Sequence, residues 1–152
     1  MASTKITDLT PDLQKLYKRF AAKMKKAGIE FKITCTARTV AEQKALYAQG
    51  RETLQITNSL RARAGLPLIK STENKRKITW TLNSKHIIKY ETEKASAFDI
   101  VLLKDNRVHW DVKVDVNKNQ KADYLEAAEI GKSVGLKPGG FFKTPDFPHF
   151  EI

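Results

Sequence analysis

The sequence predicts an α+β domain whose sheet is mainly antiparallel and flanked by helices. Three observations lead there. Some stretches repeat apolar residues at helical spacing between clear start and stop signals. Others alternate, or run apolar, over strand lengths. The two kinds mix without the regular β-α-β alternation of a parallel sheet. At 152 residues the chain has the size of one domain with one core, so a single domain is expected over 1–152.

The first helix is expected from Thr10 to Ala27. Thr10 suits the N-cap, Pro11 the first helical position, and Asp12 the positive end of the dipole. Leu13, Leu16, Tyr17, Phe20, Ala21 and Met24 recur on one face, and Gly28 stops the run. Glu30 to Thr36 alternates as a strand. Thr39-Val-Ala-Glu42 is a capping box that opens a second helix ending at Gly50. Residues 51–77 are basic and lack a clean period, which predicts an irregular, partly helical excursion. Ile78 to Thr81 reads as a short extended piece. Ala97 to Leu103 is the clearest buried strand, apolar on both faces except for Asp99. A turn at 104–107 leads to Val108-His109-Trp110, and a third helix is expected from Lys121 to Val134, stopped by Gly135. Phe147 to Ile152 forms the last strand.

With 41% hydrophobic and 30% charged residues, the composition excludes a disordered or fibrous chain. The one cysteine, Cys35, excludes an internal disulfide. No stretch is long and apolar enough to cross a bilayer, and the N-terminus lacks the apolar run of a signal peptide. Lys and Arg number 28 against 17 Asp and Glu, a net charge of +11 that attracts polyanions: nucleic acid, anionic membrane or the acidic polymers of a bacterial envelope.

Chemistry-bearing residues are few. Of three histidines, His149 lies in Asp146-Phe-Pro-His149-Phe-Glu151, where an extended backbone sends His149 and Glu151 to one side and Phe150 and Ile152 to the other. Asp99 in its apolar strand needs a cation or several donors, because an unpaired buried carboxylate costs several kcal/mol or is forced to protonate. A lysine or arginine would serve. So would zinc, which accepts two imidazoles and a carboxylate and keeps a fourth position for water. His86 and His109 compete for the second nitrogen position. His86, just upstream of the strand, is favoured over His109, which precedes Trp110, a residue suited to packing or a cleft wall.

Ser84-Lys-His86, Ala97-Phe-Asp99 and Asp146-x-x-His149-x-Glu151, in that order, resemble the Ser-x-His, Ala-x-Asp and Asp-x-x-His-x-Glu motifs of the L-alanyl-D-glutamate endopeptidases and D-alanyl-D-alanine carboxypeptidases. These share the hedgehog/DD-peptidase fold and include phage endolysins. Ala37-Arg38-Thr39 with Glu42-Gln43, then Trp110-Asp111 and Gly135 to Gly140, match further landmarks, so the resemblance spans most of residues 10–152. It implies Zn2+ held by His86, Asp99 and His149. It implies Asp146 as the catalytic carboxylate and Arg38 as the group that steadies substrate or oxyanion. Ser84, Glu151 and Trp110 become supporting or substrate-facing residues. Two departures stand out. Twelve residues, Ile87 to Phe98, separate the first His from the Asp where six are usual, with Ala95 in place of a glycine, so His109 is kept as a reserve ligand. Pro138 stands where an aromatic is common.

The expected activity is therefore zinc-dependent hydrolysis of peptidoglycan peptide bonds by a monomeric phage endolysin with no separate wall-binding domain. The protein would be made in the host cytoplasm, act on the wall after release, and be drawn to anionic envelope polymers by its charge. The alternatives are a D-alanyl-D-alanine carboxypeptidase or dipeptidase of the same fold and, from another class, a basic nucleic-acid-binding module. The last explains the charge but not Asp99 or the terminal motif, and the sequence carries no helix-turn-helix or RNA-binding signature, so no nucleic-acid partner is expected.

Overall fold

A computed structural model describes residues 2–152. After a 3-10 turn at Ile6–Asp8, helix α1 runs Pro11–Lys26. Thr10 caps it, its side chain accepting from the Leu13 amide, and Gly28 follows at a left-handed φ of 76°. Strand β1 is Glu30–Cys35. The short β2 (Arg38–Thr39) then enters α2 (Val40–Ala48), where Thr39 accepts from the Glu42 amide as the capping box predicts.

Residues 51–77 contain α3 (Leu54–Arg63) and a 3-10 turn at Glu73–Lys75. Polar side chains tie this excursion down. Buried Arg61 donates to the Pro67 carbonyl at 2.6 Å and to Gln49 at 3.3 Å, while Asn58 exchanges bonds with the backbone of Ile69. Ile78 to Thr81 joins no strand; its backbone is held instead by the side chain of Gln43.

Strand β3 (Ile87–Ile88) pairs in parallel with β2, with Arg38 opposite Ile87. Strand β4 (Ala97–Lys104) is the centre of the main sheet. It is followed by β5 (Arg107–His109), α4 (Asp123–Val134), β6 (Lys137–Pro138) and β7 (His149–Glu151). The main sheet has the order β1-β4-β7-β6, with β5 also on β4, and all its pairings are antiparallel. The fold class expected from the sequence is thus the one found.

Period two along β4 and β7 divides the two faces of the sheet. Phe98, Ile100, Leu102 and Phe150 are fully buried and pack with Phe20, Leu13 and Met24 of α1 and Tyr124 of α4. Phe98 and Phe150 are direct cross-strand partners with nearly parallel rings, and Phe20 meets Phe150 at 4.8 Å between centroids. Asp99, between the two buried faces of its neighbours, therefore points away from this core. The core fixes the strands, and the strands fix the opposite face.

Candidate active site

The opposite face is assembled by register. Asp99 on β4 lies directly across from Cys35 on β1 and from His149 on β7, so these three side chains share one side of the sheet. A bulge in β1 between Ile33 and Cys35 adds one residue and turns the strand end, a device common beside active sites. Beyond the bulge the Thr36 carbonyl faces the His86 ring. His86 itself is delivered by the β2–β3 pairing, in which the Arg38 amide donates to the His86 carbonyl at 2.8 Å.

The three side chains converge closely. His149 Nδ1 lies 2.9 Å and His86 Nε2 3.1 Å from Asp99 Oδ1, and the two nitrogens are 3.3 Å apart. Each ring's other nitrogen has an acceptor: the Thr36 carbonyl at 2.7 Å from His86 Nδ1, and Glu151 Oε2 at 2.9 Å from His149 Nε2. Those acceptors hold the ring protons on the outer side, as the partners of metal-bound imidazoles do, and turn both lone pairs inward toward the carboxylate. Two lone pairs and an anion facing one another need a shared cation. Bonds of about 2.0–2.1 Å to a tetrahedral zinc put ligand atoms about 3.3 Å apart, which is close to the observed spacings. The residues present therefore fit zinc.

The metal-free electrostatics agree. Burial alone would raise the Asp99 pKa, but when protons take the inward ring positions in place of a metal, hydrogen bonds from His149 and His86 hold it well below the usual carboxylate range. Burial disfavours a charged His86, yet its bond to Asp99 pushes its pKa up to about 10. His149 is likewise raised by Asp99 against the effect of burial. This is a site built to hold positive charge.

Cys35, His86 and Asp99 also bring a sulfur, an imidazole nitrogen and a carboxylate oxygen within 4.8 Å of one another. The sulfur, however, lies 3.6 Å from His86 Nδ1, behind the ring and next to the Thr36 carbonyl. One imidazole cannot point both nitrogens at a single ion. The inward-facing set is His86, Asp99 and His149, with Cys35 packed behind it.

Arg38 stands at the edge of this cluster. Its Nη2 is 3.5 Å from Asp99 Oδ2, its Nη1 donates to Gln43 Oε1 at 3.3 Å, and its Nε is buried with no partner. Gln43, almost fully buried, passes the connection on by donating to the Thr81 carbonyl at 2.8 Å. Asp146 sits three residues before His149 in a turn whose backbone is pinned: its amide donates to the Gly139 carbonyl at 2.8 Å, and its own carbonyl accepts from the His149 amide. One side of Asp146 is open to solvent. Partial burial, and then the Asp99 carboxylate, raise its pKa above the ordinary value, with both imidazoles and Arg38 opposing.

Ser84 Oγ accepts from the His86 amide at 3.2 Å, and Glu151 orients His149 while pairing with Lys85 at 3.6 Å. His109 does not join the cluster. It pairs with Leu102, three residues along β4 from Asp99 or about 10 Å at strand rise. The reserve candidate thus lies outside the cluster, while the long 87–98 segment still returns His86 to the sheet. That segment forms β3, then an exposed turn in which Glu93 accepts from the Lys89 amide, and buried Ala95 bridges to Leu9. Trp110 is 58% exposed beyond β5, outside the cluster's bonds. Sequence reasoning missed Thr36, whose carbonyl acts rather than its side chain, and gave no role to Gln43. The signal for the latter was its place in the Arg38-Thr39…Glu42-Gln43 motif, which was matched without a role being assigned.

An antiparallel α+β sheet that presents two inward-turned imidazoles and an Asp beside an Arg and a second Asp defines a metallopeptidase of the hedgehog/DD-peptidase type. Known proteins narrow this. The chain is 31% identical over 147 residues to the peptidoglycan L-alanyl-D-glutamate endopeptidase CwlK of Bacillus subtilis strain 168, across 93% of this chain and 74% of that one. It belongs to the peptidoglycan L-alanyl-D-glutamate endopeptidase family. Its fold matches the crystal structure of the Serratia marcescens L-Ala D-Glu endopeptidase ChiX with a TM-score of 0.57, covering 100% of this chain and 90% of that one, at 19% identity. No protein-family model matches the chain.

Proposed function

We propose that this protein is a zinc-dependent endopeptidase that cuts the L-alanyl-D-glutamate bond of bacterial peptidoglycan, and that it serves as a phage endolysin in host lysis. The observation that carries the chemistry is the inward-facing triad: two imidazole nitrogens and the Asp99 oxygen within 3.3 Å, each ring pinned from behind. His86, Asp99 and His149 would hold the metal. When bound, zinc supplies a Lewis acid that polarises the scissile carbonyl and acidifies the attacking water.

The remaining steps belong to the chain. Asp146, exposed beside the triad, takes the proton from the attacking water and delivers it to the leaving amine. A carboxylate with a raised pKa suits both halves of that transfer. Arg38 offers a fixed positive charge where negative charge grows on the carbonyl oxygen, and Gln43 holds its guanidinium in place. Glu151 keeps His149 in the tautomer whose Nδ1 lone pair faces inward.

The choice of bond draws on the CwlK relationship, and the choice of partner draws on charge. A field of +11 attracts acidic wall polymers. The test is digestion of purified peptidoglycan followed by mass analysis of the fragments. New amino termini on D-glutamate support the proposed bond. Release of D-alanine alone would assign a carboxypeptidase instead. The lytic role is checked by expressing the protein with and without a pore-forming partner, with lysis expected only in the pair.

A further inference from the structure

The segment between β5 and α4 has a feature that peptidoglycan hydrolysis does not use. From Asp115 to Glu126 the sequence reads Asp-Val-Asn-Lys-Asn-Gln-Lys-Ala-Asp-Tyr-Leu-Glu. Oxygen-bearing side chains fall at positions 1, 3, 5, 9 and 12 of a twelve-residue loop, with a glutamate closing it. That is the pattern by which EF-hand loops surround calcium. The sixth position, a glycine in the usual pattern, is Gln120, yet its backbone takes the left-handed conformation such a loop needs, with φ at 70°.

Hydrogen bonds draw much of this loop together. Asp115 accepts from the amides of Asn119 and Gln120 at 3.2 and 2.9 Å, which folds the loop around its first carboxylate. Glu126 Oε2 receives the amide groups of both Asn117 and Asn119, at 3.1 and 2.8 Å, so positions 3, 5 and 12 meet at one point. Two oxygens in this nest are buried and have no hydrogen-bond partner: Asn117 Oδ1 and Asp123 Oδ1. Asp123 is fully buried at the first residue of α4. Its other oxygen accepts from the Val116 amide inside the loop, and the carboxylates of Asp115 and Glu126 are near enough to act on it. A buried oxygen left without a partner is costly, and two in one loop ask for a ligand. Among the described residues, none of Asp115, Asp123 and Glu126 forms an ion pair with a lysine or arginine. Lys104 and Lys121 act on Asp123 and Glu126 only through space, so these acids have no direct cationic partner of their own.

We propose that residues 115–126 bind one calcium ion through the side-chain oxygens of Asp115, Asn117, Asn119, Asp123 and Glu126. The donor set is all oxygen, which selects a hard cation, and the flexible mixture of carboxylates and amides suits calcium better than the strict octahedron of magnesium. Only three of the five side chains are anionic. That sets the affinity toward the weak end of such sites, at a Kd of about 10⁻⁵–10⁻³ M. The ion would join the end of α1, where Asn117 already donates to the Ala27 carbonyl at 3.0 Å, to the start of α4, whose Gly131 packs beneath the Phe150 ring of β7.

Isothermal titration of the zinc-loaded full chain with CaCl2, and separately with MgCl2, tests this. One calcium per chain is expected, with magnesium at least about tenfold weaker, and saturating calcium should raise Tm by a few degrees. Glu126→Gln and Asp115→Asn should each weaken binding at least about tenfold and remove the Tm shift, while Asp105→Asn in the β4–β5 turn should change neither. Far-UV circular dichroism identifies any variant that has not folded, in which case the other variant and the wild type still decide. No calcium binding up to about 10 mM, well above the weakest such sites, or equal binding by wild type, Glu126→Gln and Asp115→Asn, overturns the proposal.

Discussion

At the scale of single residues the site is governed by which nitrogen of each imidazole faces inward. The Thr36 carbonyl and the Glu151 carboxylate decide that, because each accepts the outer ring proton. Without metal, the same geometry traps a proton: His86 is pushed up to about 10 from 6.5, mainly by its bond to Asp99, against the opposing effect of burial. A histidine raised in the folded state contributes stability that is complete below its unfolded pKa and is lost as pH climbs through about 10. Asp99 is lowered in the folded state, so its contribution is present above its ordinary value of 3.8 and fades in acid. Metal-free protein should therefore be most stable between about pH 4 and 6.5, and His86→Ala should flatten the alkaline loss. Urea denaturation across pH after zinc removal checks both; a metal-free wild type equally stable at pH 6 and 10.5 contradicts them. Metal must displace that proton, so zinc affinity should rise with pH.

Element by element, the sequence was most readable where apolar period and end signals agreed. Thr10, Pro11 and Gly28 bracket α1, and the unbroken Ala97–Leu103 run marks β4, because burial of one face or both leaves a periodic trace. Asp99 was legible as a site residue for the same reason, being the one charge in that run. Residues 51–77 were opaque because polar groups hold them: Arg61, Gln49 and Asn58 pack through hydrogen bonds, which have no hydropathy period. Cross-strand register was equally hidden. Nothing in the order of residues says that Asp99 will face both Cys35 and His149 once β1 acquires a bulge. The 115–126 loop escaped notice because its first residues lie in a run without helical or strand period. The turn carrying Asp146 depends on close approach: a Cβ on Gly139 would collide with the Asp146 carbonyl oxygen and stand 3.0 Å from His149 Cβ. Gly139→Ala should lower stability by about 1–3 kcal/mol and cut peptidoglycan hydrolysis at least about tenfold, since it moves both residues at once. Denaturation midpoints and initial rates measure this, and wild-type rates in the variant would contradict it.

For the whole molecule, an aromatic core on one side of the sheet supports a polar cluster on the other, and a net charge of +11 surrounds both. Long-range attraction of this kind is screened beyond about 10 Å at 0.1 M salt. Raising NaCl from about 0.05 to 0.5 M should slow digestion of intact, anionic walls while leaving cleavage of a small soluble wall peptide nearly unchanged; parallel loss on both substrates would mean that the charge does not guide encounter. The central claim is that His86, Asp99 and His149 hold a zinc ion which Asp146 uses but does not bind. Its most direct test measures zinc content and peptidoglycan hydrolysis together for wild type, Asp146→Ala and His86→Ala. Wild type should carry one zinc per chain. Asp146→Ala should keep it while losing at least about 10²-fold in rate, and His86→Ala should lose both metal and activity. Full zinc and full activity in His86→Ala would contradict the account.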